Sequence, residues 1–136
     1  MDLSGLVPAA LESRPAPDPS GRKLTKVTII CREERFSILK DTMAAIGVTG
    51  MTVSNVMGCG TQLGKVGQYR GVKMSMNLLP KIHVVSRVDP ALVVAAAEKA
   101  LRTGNQGDGK IFLYNVENVV KVRTGETDYD ALQDDN

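Results

Sequence analysis

The sequence predicts a single α+β domain, a ferredoxin-like double βαβ sandwich with one long loop between its second and third strands. Three observations predict it. Apolar β-branched segments and amphipathic segments follow one another as strand–helix–strand, and then as strand–helix–strand again. The halves are joined by residues 58–81 (GCGTQLGKVGQYRGVKMSMNLLPK), a connection of a length that is rare in a compact domain and usually functional. The chain has 136 residues and 43% hydrophobic content, which suits one domain with a real core.

The elements follow in order. Residues 1–22 read as a disordered leading tail, because four of the six prolines lie there, at 8, 15, 17 and 19, beside Ser, Asp and Ala. The tail has neither the basic start nor the apolar run of a signal peptide. The domain is expected over 23–132, with 133–136 as an acidic end. Residues 26–31 (KVTIIC) are apolar on both faces, as a central strand would be. A helix is expected over 32–46, where Phe36, Leu39, Met43 and Ile46 recur at helical spacing. Gly47 stands where a left-handed residue ends a helix.

A second strand is expected over 51–56 and a third over 82–88, with Ile82, Val84 and Val88 facing one way. Asp89 is a suitable N-cap, and Pro90 falls at the first helical position, where its missing N–H costs little. That helix should run to about Arg102 and close at Thr103-Gly104. Residues 104–110 (GNQGDGK) form a glycine-rich turn, and 111–114 a fourth strand. Residues 119–123 (VVKVR) alternate like a short strand, which would put Lys121 and Arg123 on one face.

Composition excludes several classes. A net charge of +2 is too small to argue for nucleic acid, and without Trp a base-stacking platform is not expected. No apolar run approaches the ~20 residues of a membrane span. Cys31 and Cys59 make neither a disulfide framework nor a metal site, and a reducing cytoplasm fits them. His83, the single histidine, alternates with apolar residues in a strand and has no ligand partner at metal spacing.

The 104–110 turn has the spacing G-x-x-x-x-G-K, yet it is not a true P-loop. Ile111 follows where Ser or Thr is required, and a strand follows where a helix is required. What remains is physical: backbone amides in a glycine turn form an anion nest, and Lys110 adds a point charge. Lys121 and Arg123 would add two more cations, which points to a polyphosphate; a plain Asp-Gly turn with solvated lysines is the alternative. In the long loop, Gly58, Gly60, Gly64, Gly67 and Gly71 keep the backbone mobile, and the charged residues Lys65, Arg70 and Lys73 are all positive. At its base, Gln62 offers a neutral oxygen to a magnesium ion held by phosphates, and Lys81 a cation to a carboxylate. No nucleophile–base pair is visible, so the chain reads as a binding protein and not an enzyme.

GMTVSNV, GxGxQxG (58–64), YRG (69–71), LLPK (78–81), TGNQGDGKIF (103–112) and RTGE (123–126), in this order, resemble the PII signal-transduction proteins. The resemblance covers about 26–132. It implies a homotrimer with ATP or ADP competing for clefts between subunits, and 2-oxoglutarate bound beside Mg-ATP at the base of the loop, called the T-loop. By motif position it implies that Gly50, Met51 and Thr52 line the adenosine side. It assigns Gly58, Gly60, Thr61 and Gln62 to the nucleotide as well, with Gln62 on the magnesium. Gly107, Asp108, Gly109 and Lys110 would hold phosphates, joined by Lys121 and Arg123. Gln62, Leu63, Gly64 and Lys81 would take 2-oxoglutarate, and Tyr69, Arg70 and Gly71 would contact a partner.

The sequence departs from the family pattern in places. Thr61 stands where many members carry a basic residue, Met74 where some carry a modified tyrosine, and Val72 where others carry a phosphorylated serine. The stretch between Val88 and Thr103 is short by about one helical turn, ~3–4 residues. The resemblance implies a cytoplasmic sensor of the ATP/ADP ratio and 2-oxoglutarate. Its target would be an ammonium transporter, at the membrane, or a nitrogen-metabolism enzyme. The alternative is a PII-like sensor of adenine nucleotide plus bicarbonate, or of another metabolite, acting on a carbon transporter or a metabolic compartment.

Overall fold

The computed structural model describes residues 24–62 and 73–132. The leading tail, the end at 133–136 and the loop residues Leu63, Gly64, Tyr69, Arg70 and Gly71 lie outside the described residues, as do the side chains of Thr61 and Gln62.

Six elements form the domain: β1 (Thr25–Ile30), α1 (Phe36–Ala45), β2 (Thr52–Gln62), β3 (Lys73–Val85), α2 (Pro90–Leu101) and β4 (Lys110–Asn115). The strands make one four-stranded sheet in the order β2-β3-β1-β4, with every neighbouring pair antiparallel. This is the ferredoxin-like arrangement the sequence predicts.

Alternation divides the sheet into two faces. Val27 and Ile29 of β1, Cys31 just after it, and Ile82 and Val84 of β3 are buried with Leu39 and Met43 of α1 and Val93, Ala97 and Leu101 of α2 in one core. Phe36 and Ile46 complete the expected stripe on α1, partly buried against that core. Lys26, Thr28 and Ile30 point to the opposite, open face. There the register gives two rows across all four strands: Ser54–Lys81–Ile30–Lys110 and Thr52–His83–Thr28–Phe112.

The predicted punctuation is present. Gly47 has φ +97°, and the Asp89 carboxylate accepts the Ala91 amide at 2.9 Å at the start of α2. Three boundaries differ from expectation. The helix expected from residue 32 begins as a 3-10 turn, Glu33–Arg35, because Arg32 is extended (φ −71°, ψ 146°) and no side chain caps the start.

The base of the long loop is itself strand. β2 and β3 continue past 56 and begin before 82 as a two-stranded ribbon, paired out to Gln62↔Lys73. Pro80 is tolerated inside β3 because its N side faces β1 where β1 has ended. Its carbonyl there accepts the Cys31 amide at 3.3 Å.

The strand expected over 119–123 is a single bridge, Val120↔Thr127. The chain turns instead: the Gly125 amide donates to Lys121 O at 2.7 Å, with Gly125 at φ +76°. Lys121 and Arg123 therefore do not share a strand face. The closing 3-10 turn, Asp128–Leu132, buries Tyr129, whose carbonyl accepts Arg87 at 2.9 Å.

Candidate anion-binding turn and adjoining cleft

The turn between α2 and β4 is held by its own aspartate. The Asp108 carboxylate accepts the amides of Thr103 (2.7 Å) and Gly104 (2.9 Å) and the Thr103 hydroxyl. The Thr103 hydroxyl and amide, then the Gly104 amide and the nearby Arg32 charge, hold this carboxyl below its usual range. Asp108 thus serves the turn's shape, and its charge is directed back into the turn.

Gly104, Gly107 and Gly109 all have positive φ. At Gly109 the requirement is steric as well, since a Cβ there would stand 2.1 Å from Ile30 O. No hydrogen bond ties the amides of Gly107, Asp108 or Gly109 to another described residue. With Lys110 immediately after them, the turn has the donors and the charge that an anion requires.

Arg32 was not singled out by the sequence. It leaves the end of β1 and crosses to this turn, its Nε donating to Gly107 O at 2.9 Å and its Nη2 to Gln106 O. A signal did exist: Arg32 directly follows the apolar run of β1, and antiparallel pairing must bring the start of β4 to that same end of the sheet. Beside it opens a cleft of about 640 Å³, lined by Arg32, Glu33, Glu34, Gln106, Gly107 and β3 residues from Met76 to Leu79. The cleft therefore joins the glycine turn to the base of the ribbon.

The structure brings some of the expected site residues together and separates others. Lys81 and Lys110 flank Ile30 in one row of the open face, two strands or ~10 Å apart. Gly58 pairs with Asn77 on the same ribbon that lines the cleft, and Gly60 with Ser75. Gln62 lies farther out, eight residue steps beyond Ser54, ~27 Å along the extended strand.

Gly50, Met51 and Thr52 sit at the start of the edge strand β2, three strand spacings or ~14 Å from β4. Lys121 and Arg123 come after β4, whose last residue, Asn115, is ~17 Å along the strand from Lys110. Lys121 there lies 3.8 Å from Glu126. Within one chain, then, Gly50, Met51 and Thr52 lie at the opposite edge of the sheet from the glycine turn.

Among the described residues no group of three or more His, Cys, Asp or Glu could hold a metal, and no helix is long and apolar enough to cross a membrane.

Comparison with known proteins agrees with this architecture. Residues 24–126 match the family model "Nitrogen regulatory protein P-II". The chain is 42% identical over 113 residues to the nitrogen regulatory PII-like protein of Bacillus subtilis, covering 81% of this chain and 97% of that one. It is 39% identical over 109 residues to the nitrogen regulatory protein GlnK of Escherichia coli K12, covering 78% and 97%. Among solved structures, the B. subtilis GlnK–ATP complex superposes with a TM-score of 0.71 at 39% identity, covering 81% of this chain and 96% of that one. Fold, element order and the family match agree: the chain belongs to the P-II family of nitrogen regulatory signal-transduction proteins.

Proposed function

We propose that this chain senses cellular energy and nitrogen status by binding ATP or ADP at the 103–110 turn, and 2-oxoglutarate with Mg2+ at the base of its T-loop. It reports that state to an ammonium transporter or a nitrogen-metabolism enzyme through Tyr69, Arg70 and Gly71. The observation that carries this reading is the glycine turn itself, with uncommitted amides at 107–109, Lys110 beside them, and a cleft continuing to the ribbon. The B. subtilis GlnK structure solved with ATP adds support.

The functional unit in this reading is a homotrimer. The sheet order supports it, since Gly50, Met51 and Thr52 lie at the edge opposite the turn, and a neighbouring copy could bring them to it. Exposed apolar side chains on and after β4, Phe112, Leu113, Tyr114, Val120 and Val122, give such a copy something to cover.

The residues present fit the phosphates directly. Magnesium makes a further demand, because Gln62 reaches the turn only if the ribbon folds back near Gly58 and Gly60. A ribbon that is extended without 2-oxoglutarate and folded with it would link ligand state to partner contact, through differential affinity for the two shapes.

Calorimetry tests the reading. ATP with magnesium, ADP, AMP, 2-oxoglutarate and bicarbonate are titrated into wild type, Lys110→Ala and Gln62→Ala. Lys110→Ala should weaken ATP and ADP together by roughly 10- to 150-fold, the loss of one charge-assisted contact. Gln62→Ala should lose 2-oxoglutarate and keep ADP. A heat from bicarbonate and none from 2-oxoglutarate would replace the nitrogen reading with a carbon one.

A further inference from the structure

We propose that Arg32 is the positioning residue of the phosphate turn: by bridging the carbonyls of Gln106 and Gly107, it aims the amides of Gly107 and Asp108 at the anion. The proposal rests on the nucleotide reading above. Its physical basis is the planarity of the peptide unit. The carbonyl of one residue and the amide of the next point in opposite directions across the same rigid plane. A donor fixed on Gln106 O therefore sends the Gly107 N–H the other way, and a donor fixed on Gly107 O does the same for Asp108 N–H. Arg32 supplies both donors from one planar group. The two amides it orients are among those with no partner in the turn.

The packing agrees. Gly107, at φ +93°, lies against the guanidinium so closely that a Cβ there would come within 3.0 Å of Nη2. Arg32 is itself anchored. The amide of its neighbour Cys31 donates to Pro80 O at 3.3 Å, and its own carbonyl accepts the Arg35 amide at 3.1 Å. The turn is thus held from inside by Asp108 and from outside by a residue 75 positions away in sequence. Three positive-φ glycines give an unclamped turn many other shapes, and affinity falls in proportion to the fraction that is competent.

Two variants and two readouts test this. Arg32→Ala removes the bridge, and Arg32→Lys keeps the charge but cannot span two carbonyls in a plane. ATP and ADP affinities are measured by calorimetry, and amide hydrogen exchange is followed in the ligand-free protein. Both variants should weaken both nucleotides by about 30-fold, the worth of two ordinary hydrogen bonds. Both should also raise exchange at 106–109 while exchange in β1, β3 and α2 stays as in wild type. If Arg32→Lys restores affinity to within about twofold, the guanidinium acts as a charge and the clamp is wrong. Unchanged exchange at 106–109 in Arg32→Ala also overturns it. Failure of the wild type to bind any nucleotide overturns the functional reading instead, and is seen before any variant is made.

Discussion

Thr28 and His83 meet across the open face of the sheet, Oγ1 to Nδ1 at 2.9 Å, as directly opposed residues of β1 and β3. Desolvation first, then the charges of Lys26 and Lys81, push the His83 pKa below its usual value. No Asp or Glu stands on any of the four strands to offset this. The folded state therefore holds its proton less tightly than the unfolded chain, whose histidine titrates near ~6.5. Stability present above that pH is lost as pH falls from it through the folded pKa. Denaturant melts at pH 7.5, 6.5 and 5.5 should show wild type losing stability across the series and His83→Gln losing less. Parallel losses in the two proteins would place the titration elsewhere.

Gly109→Ala should cost stability and nucleotide affinity together. Its φ of +118° and the 2.1 Å approach of a Cβ to Ile30 O leave no room without shifting β1 or the turn. A cost of ~1–3 kcal/mol is expected from the backbone strain alone. Gly104→Ala is the control: its φ is also positive, but nothing lies within 4 Å of a Cβ there, so it should cost less. Thermal unfolding of the pair, ranked in the opposite order, would contradict the packing.

The two thiols should react at very different rates. Cys31 is 1% exposed, and burial first, with Glu34 second, raises its pKa, so little thiolate forms. Cys59 is exposed on the ribbon. Alkylation of the native protein followed by peptide mass mapping should modify Cys59 and spare Cys31 until denaturant is added.

Arg70→Glu should abolish capture of the partner yet leave nucleotide and 2-oxoglutarate affinities within about twofold. The basis is separation along the chain: the turn, the cleft and Lys81 all lie at the foot of the ribbon, while Arg70 falls in the segment between β2 and β3, outside the described residues. Pull-down from membranes with wild type and variant, beside calorimetry on both, reads the two functions apart. A variant that still captures the partner would move the contact surface elsewhere on the molecule.

Much of this was legible from local chemistry. Gly47, Asp89 and Pro90 mark helix ends by backbone requirements that hold whatever surrounds them, and the alternation of Ile82 and Val84 sets a buried face. Two boundaries were not legible because partners decide them. Glycines at 58 and 60 weaken strand propensity, but the paired β3 residues Ser75 and Asn77 hold them in the ladder. The VVKVR stretch alternates well, yet it makes a single bridge, Val120 to Thr127, because Gly125 turns the chain back. Arg32 was missed for a related reason, since its role depends on carbonyls 74 and 75 residues away.

The placement of Thr52 and Lys110 on opposite edges of the sheet bears on how the protein should be assayed. In the homotrimer proposed above, a nucleotide completed by a neighbouring copy binds only what has already assembled. Its apparent affinity would then fall on dilution, and the nucleotide would in turn hold the assembly together at concentrations where the bare protein dissociates. Titrations run at micromolar and at nanomolar protein would give different constants for the same ligand, and the gap between them would measure how firmly the copies associate.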